Sequence, residues 1–177
     1  CVRYMVASEE LEPTAGWPYH VILRALAESP TMPTAELATR IVRAYVRSFA
    51  QKRSNASVTQ SALDLTQVEA LAALTDSLAD ALIRGLPATA NEVWNTLRTT
   101  ASFYSSTLWD LGHLCTDLAE QTSNVEVRRN AEAIARALSP ANGRFVLAES
   151  HRGHRLAACK GINIYLPALV DISPYYS

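Results

Sequence analysis

The hydrophobic pattern divides the chain into a helical middle with strand-like segments on either side. From residue 66 to about residue 84, apolar residues recur every three or four positions, the spacing of a helix that buries one face. Five further segments have this spacing and are predicted to be helices: residues 20–28, 35–51, 94–104, 111–118 and 124–138. Four short runs rich in β-branched or aromatic residues are predicted to be strands: residues 2–7, 58–63, 145–148 and 157–166.

The order of these segments predicts an α/β fold. A turn near Arg152 and Gly153 indicates that the strands on either side of it, residues 145–148 and 157–166, pair antiparallel. Strands at both ends with helices between them are typical of the later part of an α/β sandwich whose sheet is completed by further sequence. No internal repeat or linker divides the chain, so residues 1–177 are predicted to form a single domain or part of one.

Composition narrows the range of partners. The net charge is −1 over 177 residues, which argues against binding to a polyanion such as nucleic acid. No apolar run approaches the ~20 residues that span a bilayer, so no membrane partner is expected. The arginine stripe on the second helix, Arg40, Arg43 and Arg47, is interpreted as a solvated face. Three widely spaced cysteines, an odd number, are interpreted as free thiols and not as a disulfide framework.

A group of acidic and aromatic residues follows the first predicted strand. Glu9, Glu10 and Glu12 come directly after it, and Trp17 and Tyr19 lie a few positions further on. Loops beyond strand ends are where α/β folds place ligand sites. Two interpretations stay open at this point. The glutamates are either binding groups or solvated loop charges, and the aromatic residues either contact a ligand or pack in the core.

Three segments, in order along the chain, resemble the clostripain-like cysteine peptidases of the caspase-fold clan. Residues 6–13 and 16–19 read Val-Ala-Ser-Glu-Glu-Leu-Glu-Pro and Gly-Trp-Pro-Tyr, similar to the segment that follows the catalytic cysteine in that family. Residues 60–65 are similar to a family motif that precedes a long helix, and residues 161–167 to a late strand. The resemblance implies a bacterial protein with a caspase-like α/β/α sandwich, of which this chain is the helix-rich C-terminal part.

The resemblance also implies an activity, that of a cysteine endopeptidase cleaving proteins after Arg or Lys. The family's nucleophile lies in an Asp-Ala-Cys motif and its histidine in a His-Gly motif, both upstream of the segments matched here. This chain contains neither motif. We therefore assign no catalytic residue to it and expect an upstream segment, separated by autoprocessing or not, to supply the His-Cys dyad.

By the same resemblance, this chain supplies the substrate-binding strand. Six residues are implied as substrate-binding: Ala7, Ser8, Glu9, Glu10, Trp17 and Tyr19. Glu9 is the first candidate for the carboxylate that recognises a basic side chain, and Glu10 is the second. Neighbouring strand residues face opposite ways, so only one of the two is expected to point into the pocket. The family commonly has an acid immediately before the Gly-Trp pair, where this chain has Ala15.

No cofactor is predicted from the residues themselves. Glu149, His151, His154 and Cys159 offer metal-ligand atoms, but their spacing matches no standard metal site, so no metal ligands are assigned. The resemblance implies calcium dependence, although no segment resembles a calcium-binding loop. Thr107 and Asp110 together are interpreted as a possible cap of the helix at residues 111–118, and Asp110 also as a surface partner of His113.

Two other functional classes remain open. The chain could belong to a catalytically inactive relative that acts as a binding or regulatory module. It could also be an unrelated helical interaction domain, in which case the strand at residues 2–7 should lie away from the one at 161–166. The sequence does not indicate a cellular compartment.

Overall fold

The computed structural model describes residues 2–52, 54–105, 107–142 and 144–167. Cys1, one of the three cysteines, lies outside the described residues. Six α-helices are found within the described ranges: α1 (Tyr19–Glu28), α2 (Thr34–Gln51), α3 (Val68–Arg84), α4 (Ala88–Leu97), α5 (Leu111–Gln121) and α6 (Val125–Leu138). The same ranges contain five strands: β1 (Tyr4–Ala7), β2 (Val58–Asp64), β3 (Leu108–Asp110), β4 (Val146–Arg152) and β5 (Asn163–Tyr165).

The main sheet has three antiparallel strands in the order β1-β2-β4. Every residue of the central strand β2 is buried, and Ala7 of β1 lies opposite Ser61 of β2. The prediction that the segments around residues 145–148 and 157–166 pair with each other is therefore wrong. β4 pairs with β2 instead, because β2 is buried along its whole length and its backbone groups need a partner along each edge.

A second, two-stranded sheet joins β3 to β5, with Asp110 opposite Asn163. The helix predicted over residues 94–104 ends early, since α4 stops at Leu97 and the chain then becomes extended. The residues that follow include several Thr and Ser, whose side chains bond locally to the backbone and are poor helix formers. Thr99 and Thr100, for example, both donate to the carbonyl of Thr96.

The two faces of the main sheet are covered by helices. Ala62 of β2 packs against α2 on one face, through Ala38 and Val42. The next residue, Leu63, belongs to the larger core that α3, α5 and α6 form on the other face. Consecutive strand residues point to opposite faces, so the sheet is enclosed on both sides. This arrangement confirms the predicted α/β/α architecture.

The strands at the two ends of the chain come close together although they lie in different sheets. Ser61 of β2 donates a hydrogen bond to the carbonyl of Gly161, at 2.6 Å, and lies 3.4 Å from the carbonyl of Ala7. The segment before β5 is therefore held against the end of β1. Within the described residues, none of the helices combines the length and the apolar character that crossing a membrane requires.

Candidate functional site

The turn after β1 is fixed by one buried hydroxyl group, that of Thr59 in β2. The Thr59 Oγ1 atom accepts from the backbone N–H of Glu9 at 2.9 Å and from that of Glu10 at 3.1 Å. It also shares a hydrogen bond of 3.0 Å with the Ser8 hydroxyl. The site predicted at Ser8, Glu9 and Glu10 therefore has a backbone that is bound directly to the central strand.

Glu9 turns its side chain into the protein. Only 9% of its surface is exposed, and neither carboxylate oxygen accepts a hydrogen bond in the described chain, although the protonated carboxyl group bonds to that of Asp110. Its carboxyl group lies beside the carboxyl group of Asp110 and the thiol of Cys159, with ligand atoms of all three within 4.8 Å of one another. Burial, followed by the negative charge of Asp110, raises the pKa of Glu9 to about 10. Glu9 is consequently protonated at neutral pH.

The N–H of Gly161 approaches the same carboxyl group. It partly opposes the rise in the pKa of Glu9, although the contact falls short of hydrogen-bond geometry. Gly161 has a φ of +98°, and a Cβ atom here would come within 2.9 Å of the Ser61 Cβ atom. Glycine is thus required for the chain to pass this close to β2.

Asp110 links three elements of the fold. It ends β3 and caps α5, where its Oδ1 atom accepts from the N–H of His113 at 2.6 Å. Its Oδ2 atom accepts from the N–H of Lys160, also at 2.6 Å. Asp110 is confirmed as part of the helix cap, whereas Thr107 bonds to Ser105 and takes no part in it. The prediction of a surface position is wrong because Asp110 is fully buried. Gly112 leaves room for this link, since a Cβ atom there would lie 2.4 Å from the Lys160 Cβ atom.

A third acidic residue, Glu149 of β4, lies near this pair. Its Oε1 atom is 2.7 Å from the Nδ1 atom of His151. Burial raises the pKa of Glu149, and the contact with His151 partly opposes that rise. The charge of Glu149 in turn contributes to the raised pKa of Glu9. Residues from four separate segments therefore form one buried acidic cluster, which we define as Glu9, Asp110, Glu149 and Cys159.

The other predicted substrate-binding residues lie elsewhere. Glu10 stays at the surface, where its Oε1 atom accepts from the N–H groups of Leu11 and Tyr104. Trp17 donates to Glu12 at 2.8 Å, and its ring stacks on that of Tyr19 at a centroid distance of 6.4 Å. Trp17 also packs against Tyr45 and Phe49 of α2. The structure therefore brings Ala7, Ser8 and Glu9 together and places the aromatic pair in a separate group.

The four potential metal ligands noted in the sequence, Glu149, His151, His154 and Cys159, do not meet at one point. His151 is bound to Glu149, His154 is exposed, and Cys159 instead faces Glu9 and Asp110. Sequence reasoning did not connect Asp110 with Glu9, and the only available signal was the position of Asp110 at the start of a helix.

Burial raises the pKa of the Cys115 thiol to about 12, and that of Cys159 is raised as well. Both thiols are therefore protonated at neutral pH.

Comparison with known proteins identifies the family to which this chain belongs. A family model described as the clostripain family, peptidase family C11, matches residues 1–177, and the chain therefore belongs to that family. None of the curated proteins is similar enough to this chain to count as a relative. The match excludes the third possibility, an unrelated helical domain, even though β1 and β5 do lie in separate sheets.

One solved structure shares the fold. It is described as an X-ray structure of an inactive zymogen C11 protease from Parabacteroides distasonis. The two chains are 14% identical and superpose with a TM-score of 0.63. The similarity covers 99% of this chain and 49% of the other, so this chain spans about half the length of that protease.

Proposed function

We propose that this chain is part of a cysteine endopeptidase that cleaves proteins after basic residues. In this proposal the chain supplies the substrate-binding strand and the helical segment, while an upstream segment supplies the His-Cys dyad. Membership of the clostripain family supports the peptidase class. Recognition of a basic residue rests on one observation, the buried carboxyl group of Glu9, which has no hydrogen-bond donor in the described chain.

A basic side chain would supply what Glu9 lacks. A guanidinium or ammonium group brings both hydrogen-bond donors and a positive charge, and these favour the ionised carboxylate. Asp110 and Glu149 add negative charge around the same point, which strengthens the attraction for a cation. Binding of Arg or Lys would then displace the proton that Glu9 carries in the free protein. Glu10 is the second candidate because its carboxylate is at the surface of the same turn.

Strand β1 provides a place for the substrate backbone. Among the described residues it pairs on one side only, with β2. The outer edge of a strand can bind an extended peptide through main-chain hydrogen bonds. A peptide lying along β1 would run past Ala7 and Ser8 toward Glu9, so that backbone and side-chain recognition occur next to each other.

The specificity is tested with the full-length natural protein. Peptides that differ only in the residue before the cleaved bond should be compared, with Arg, Lys and citrulline at that position. Citrulline has nearly the shape of Arg but no charge. We expect cleavage after Arg and Lys and at least ~10-fold slower cleavage after citrulline, the loss expected for a charge-assisted hydrogen bond. Equal cleavage of all three peptides would contradict recognition by a carboxylate.

The proposal that an upstream segment supplies the catalytic dyad is tested separately. The experiment is intact mass analysis of the purified natural protein under denaturing conditions. A second chain, or an upstream part of the same chain, that contains Asp-Ala-Cys and His-Gly motifs supports the proposed arrangement. If neither motif is found, the alternative of an inactive relative that acts as a binding or regulatory module is favoured.

A further inference from the structure

Three potential metal ligands from distant parts of the sequence meet in the buried acidic cluster. Glu9 follows β1, Asp110 ends β3, and Cys159 precedes β5. Their ligand atoms all lie within 4.8 Å of one another. Asp110 is fully buried, and Cys159 is 2% exposed. Two carboxylates and a sulfur atom converging in one enclosed space are a set of ligands that proteins use for divalent metals.

A second observation indicates that a ligand is missing from this space. Glu9 is nine-tenths buried, and apart from its contact with Asp110 neither of its oxygens has a hydrogen-bond partner in the described chain. A buried polar group that lacks partners is costly and is rare in folded proteins. A bound cation would displace the proton that Glu9 carries and would supply a partner for its oxygens.

We propose that Glu9, Asp110 and Cys159 form a binding site for one divalent cation, with zinc the best chemical fit. Zinc binds sulfur at about 2.3 Å and carboxylate oxygen at about 2.0–2.2 Å, so in a tetrahedral site its ligand atoms lie about 3.4–3.7 Å apart. The three ligand atoms lie within 4.8 Å of one another, so they would move together by up to about 1 Å when the metal binds. Calcium and magnesium are poorer fits because both prefer sites made of oxygen atoms.

The surroundings hold the three ligands in place. Each Asp110 oxygen accepts one backbone N–H, from His113 or from Lys160, and retains a further lone pair for a metal. The N–H of Cys159 donates to the carbonyl of Leu156 at 3.1 Å. Such outer contacts orient metal ligands and tune affinity. With three protein ligands, a fourth zinc position would be left for water.

This site goes beyond the proposed peptidase specificity, although both involve Glu9. Its test is therefore done without substrate, so that metal binding can succeed or fail independently of peptide cleavage. The full-length natural protein is freed of metal with a chelator and titrated with Co²⁺, which reports on its ligands by absorption. We expect one equivalent to bind with a thiolate-to-cobalt charge-transfer band in the near ultraviolet, and Zn²⁺ to displace it.

Two cysteine variants identify the sulfur ligand. Cys159→Ala should remove the charge-transfer band and weaken binding at least ~100-fold, because it deletes a direct ligand. Cys115→Ala is the matched control, since Cys115 is equally buried but lies inside α5 and outside the three-residue site. That variant should keep the band and the affinity of the wild-type protein.

A third variant keeps the proposal testable if Cys159→Ala fails to fold. Glu9→Gln has the shape of the protonated acid, so the fold should survive while the charged ligand is lost. We expect its affinity for Co²⁺ to fall at least ~10-fold. Absence of stoichiometric binding by the wild-type protein would overturn the proposal. Binding that neither Cys159→Ala nor Glu9→Gln weakens would overturn it equally, because the metal would then lie elsewhere.

Discussion

The carboxyl group of Glu9 lies against the carboxyl group of Asp110 in a space almost closed to solvent. Asp110 receives two backbone N–H groups there, whereas Glu9 receives none. The extra proton of the pair therefore resides on Glu9, whose pKa is raised to about 10 by burial and by the neighbouring charge. This asymmetry is the basis of the cation binding proposed for Glu9, and it should also make Glu9 a source of instability.

In the metal-free protein, the amount by which buried Glu9 lowers the free energy of unfolding should depend on pH. Below its ordinary pKa of 4.5, Glu9 is protonated in both folded and unfolded states and carries no penalty. Above that value the unfolded state ionises first, so the free energy of unfolding falls as pH rises toward the folded-state pKa. Each pH unit between the two pKa values costs about 1.4 kcal/mol, so Glu9→Gln should stabilise the protein by several kcal/mol at pH 9 and by about 1 kcal/mol or less at pH 5.

Urea unfolding of the natural protein in the presence of a chelator, at both pH values, measures this difference. Glu10→Gln is the control because Glu10 lies at the surface of the same turn and outside the buried acidic cluster. A Glu9→Gln effect of equal size at pH 5 and pH 9 would show that Glu9 is not held protonated by the fold.

The hydroxyl group of Thr59 should contribute more to the free energy of unfolding than the hydroxyl group of an ordinary buried threonine. Thr59→Val keeps the shape but leaves the N–H group of Glu9 without its acceptor and that of Glu10 with the Ser8 hydroxyl alone. We expect a loss of ~2 kcal/mol in the free energy of unfolding, typical of unsatisfied buried donors. Thr100→Val is the control, since Thr100 is also buried but only donates to a carbonyl within its own segment. Losses of equal size, measured by chemical denaturation, would contradict this role.

The hydrogen bond from the Lys160 N–H to Asp110 should depend on a glycine at position 112. Alanine is normally better than glycine within a helix, but here its methyl group would meet the Lys160 side chain at 2.4 Å. Gly112→Ala should therefore lower the free energy of unfolding by ~1–3 kcal/mol and loosen the hydrogen bond from the Lys160 N–H to Asp110. Hydrogen exchange of the Lys160 amide measures the second effect directly.

Gly16→Ala serves as the control for Gly112→Ala. Gly16 has a positive φ, so alanine strains the backbone there, but no atom lies within 4 Å of the added methyl group. The exchange rate of the Lys160 amide should be unchanged in this variant. If Gly112→Ala also left that rate unchanged, close packing at Gly112 would not be what positions Lys160.

The helices with regular apolar spacing were predictable from the sequence, and the strand partners were not. The stripes in α3 and α6 are long enough to fix both the type of element and its buried face. Alternation in β5 indicates a strand, but it carries no information about the partner, which proved to be β3. β3 itself has three residues, too few for a periodic signal.

The candidate site was predictable only in part for a similar reason. The resemblance to the peptidases indicated residues 7–10, and the opposite directions of neighbouring side chains predicted that only one of Glu9 and Glu10 would point inward. Asp110 and Cys159 join Glu9 only through tertiary contacts between distant segments. Asp110 fits the pattern of an ordinary helix cap equally well, so nothing in its local sequence distinguishes a cap from a buried member of an acidic cluster.

The central claim is that Glu9 recognises a basic side chain in a peptidase substrate. The most direct test compares kcat/KM of Glu9→Gln and Glu10→Gln in the full-length natural protein, using matched Arg and citrulline peptides. We predict that Glu9→Gln lowers kcat/KM for the Arg peptide by about 10- to 100-fold, the value of a charge-assisted hydrogen bond, and changes the citrulline rate little. Cleavage of the Arg peptide by Glu9→Gln at the wild-type rate would contradict the claim, and a loss confined to Glu10→Gln would transfer the role to Glu10.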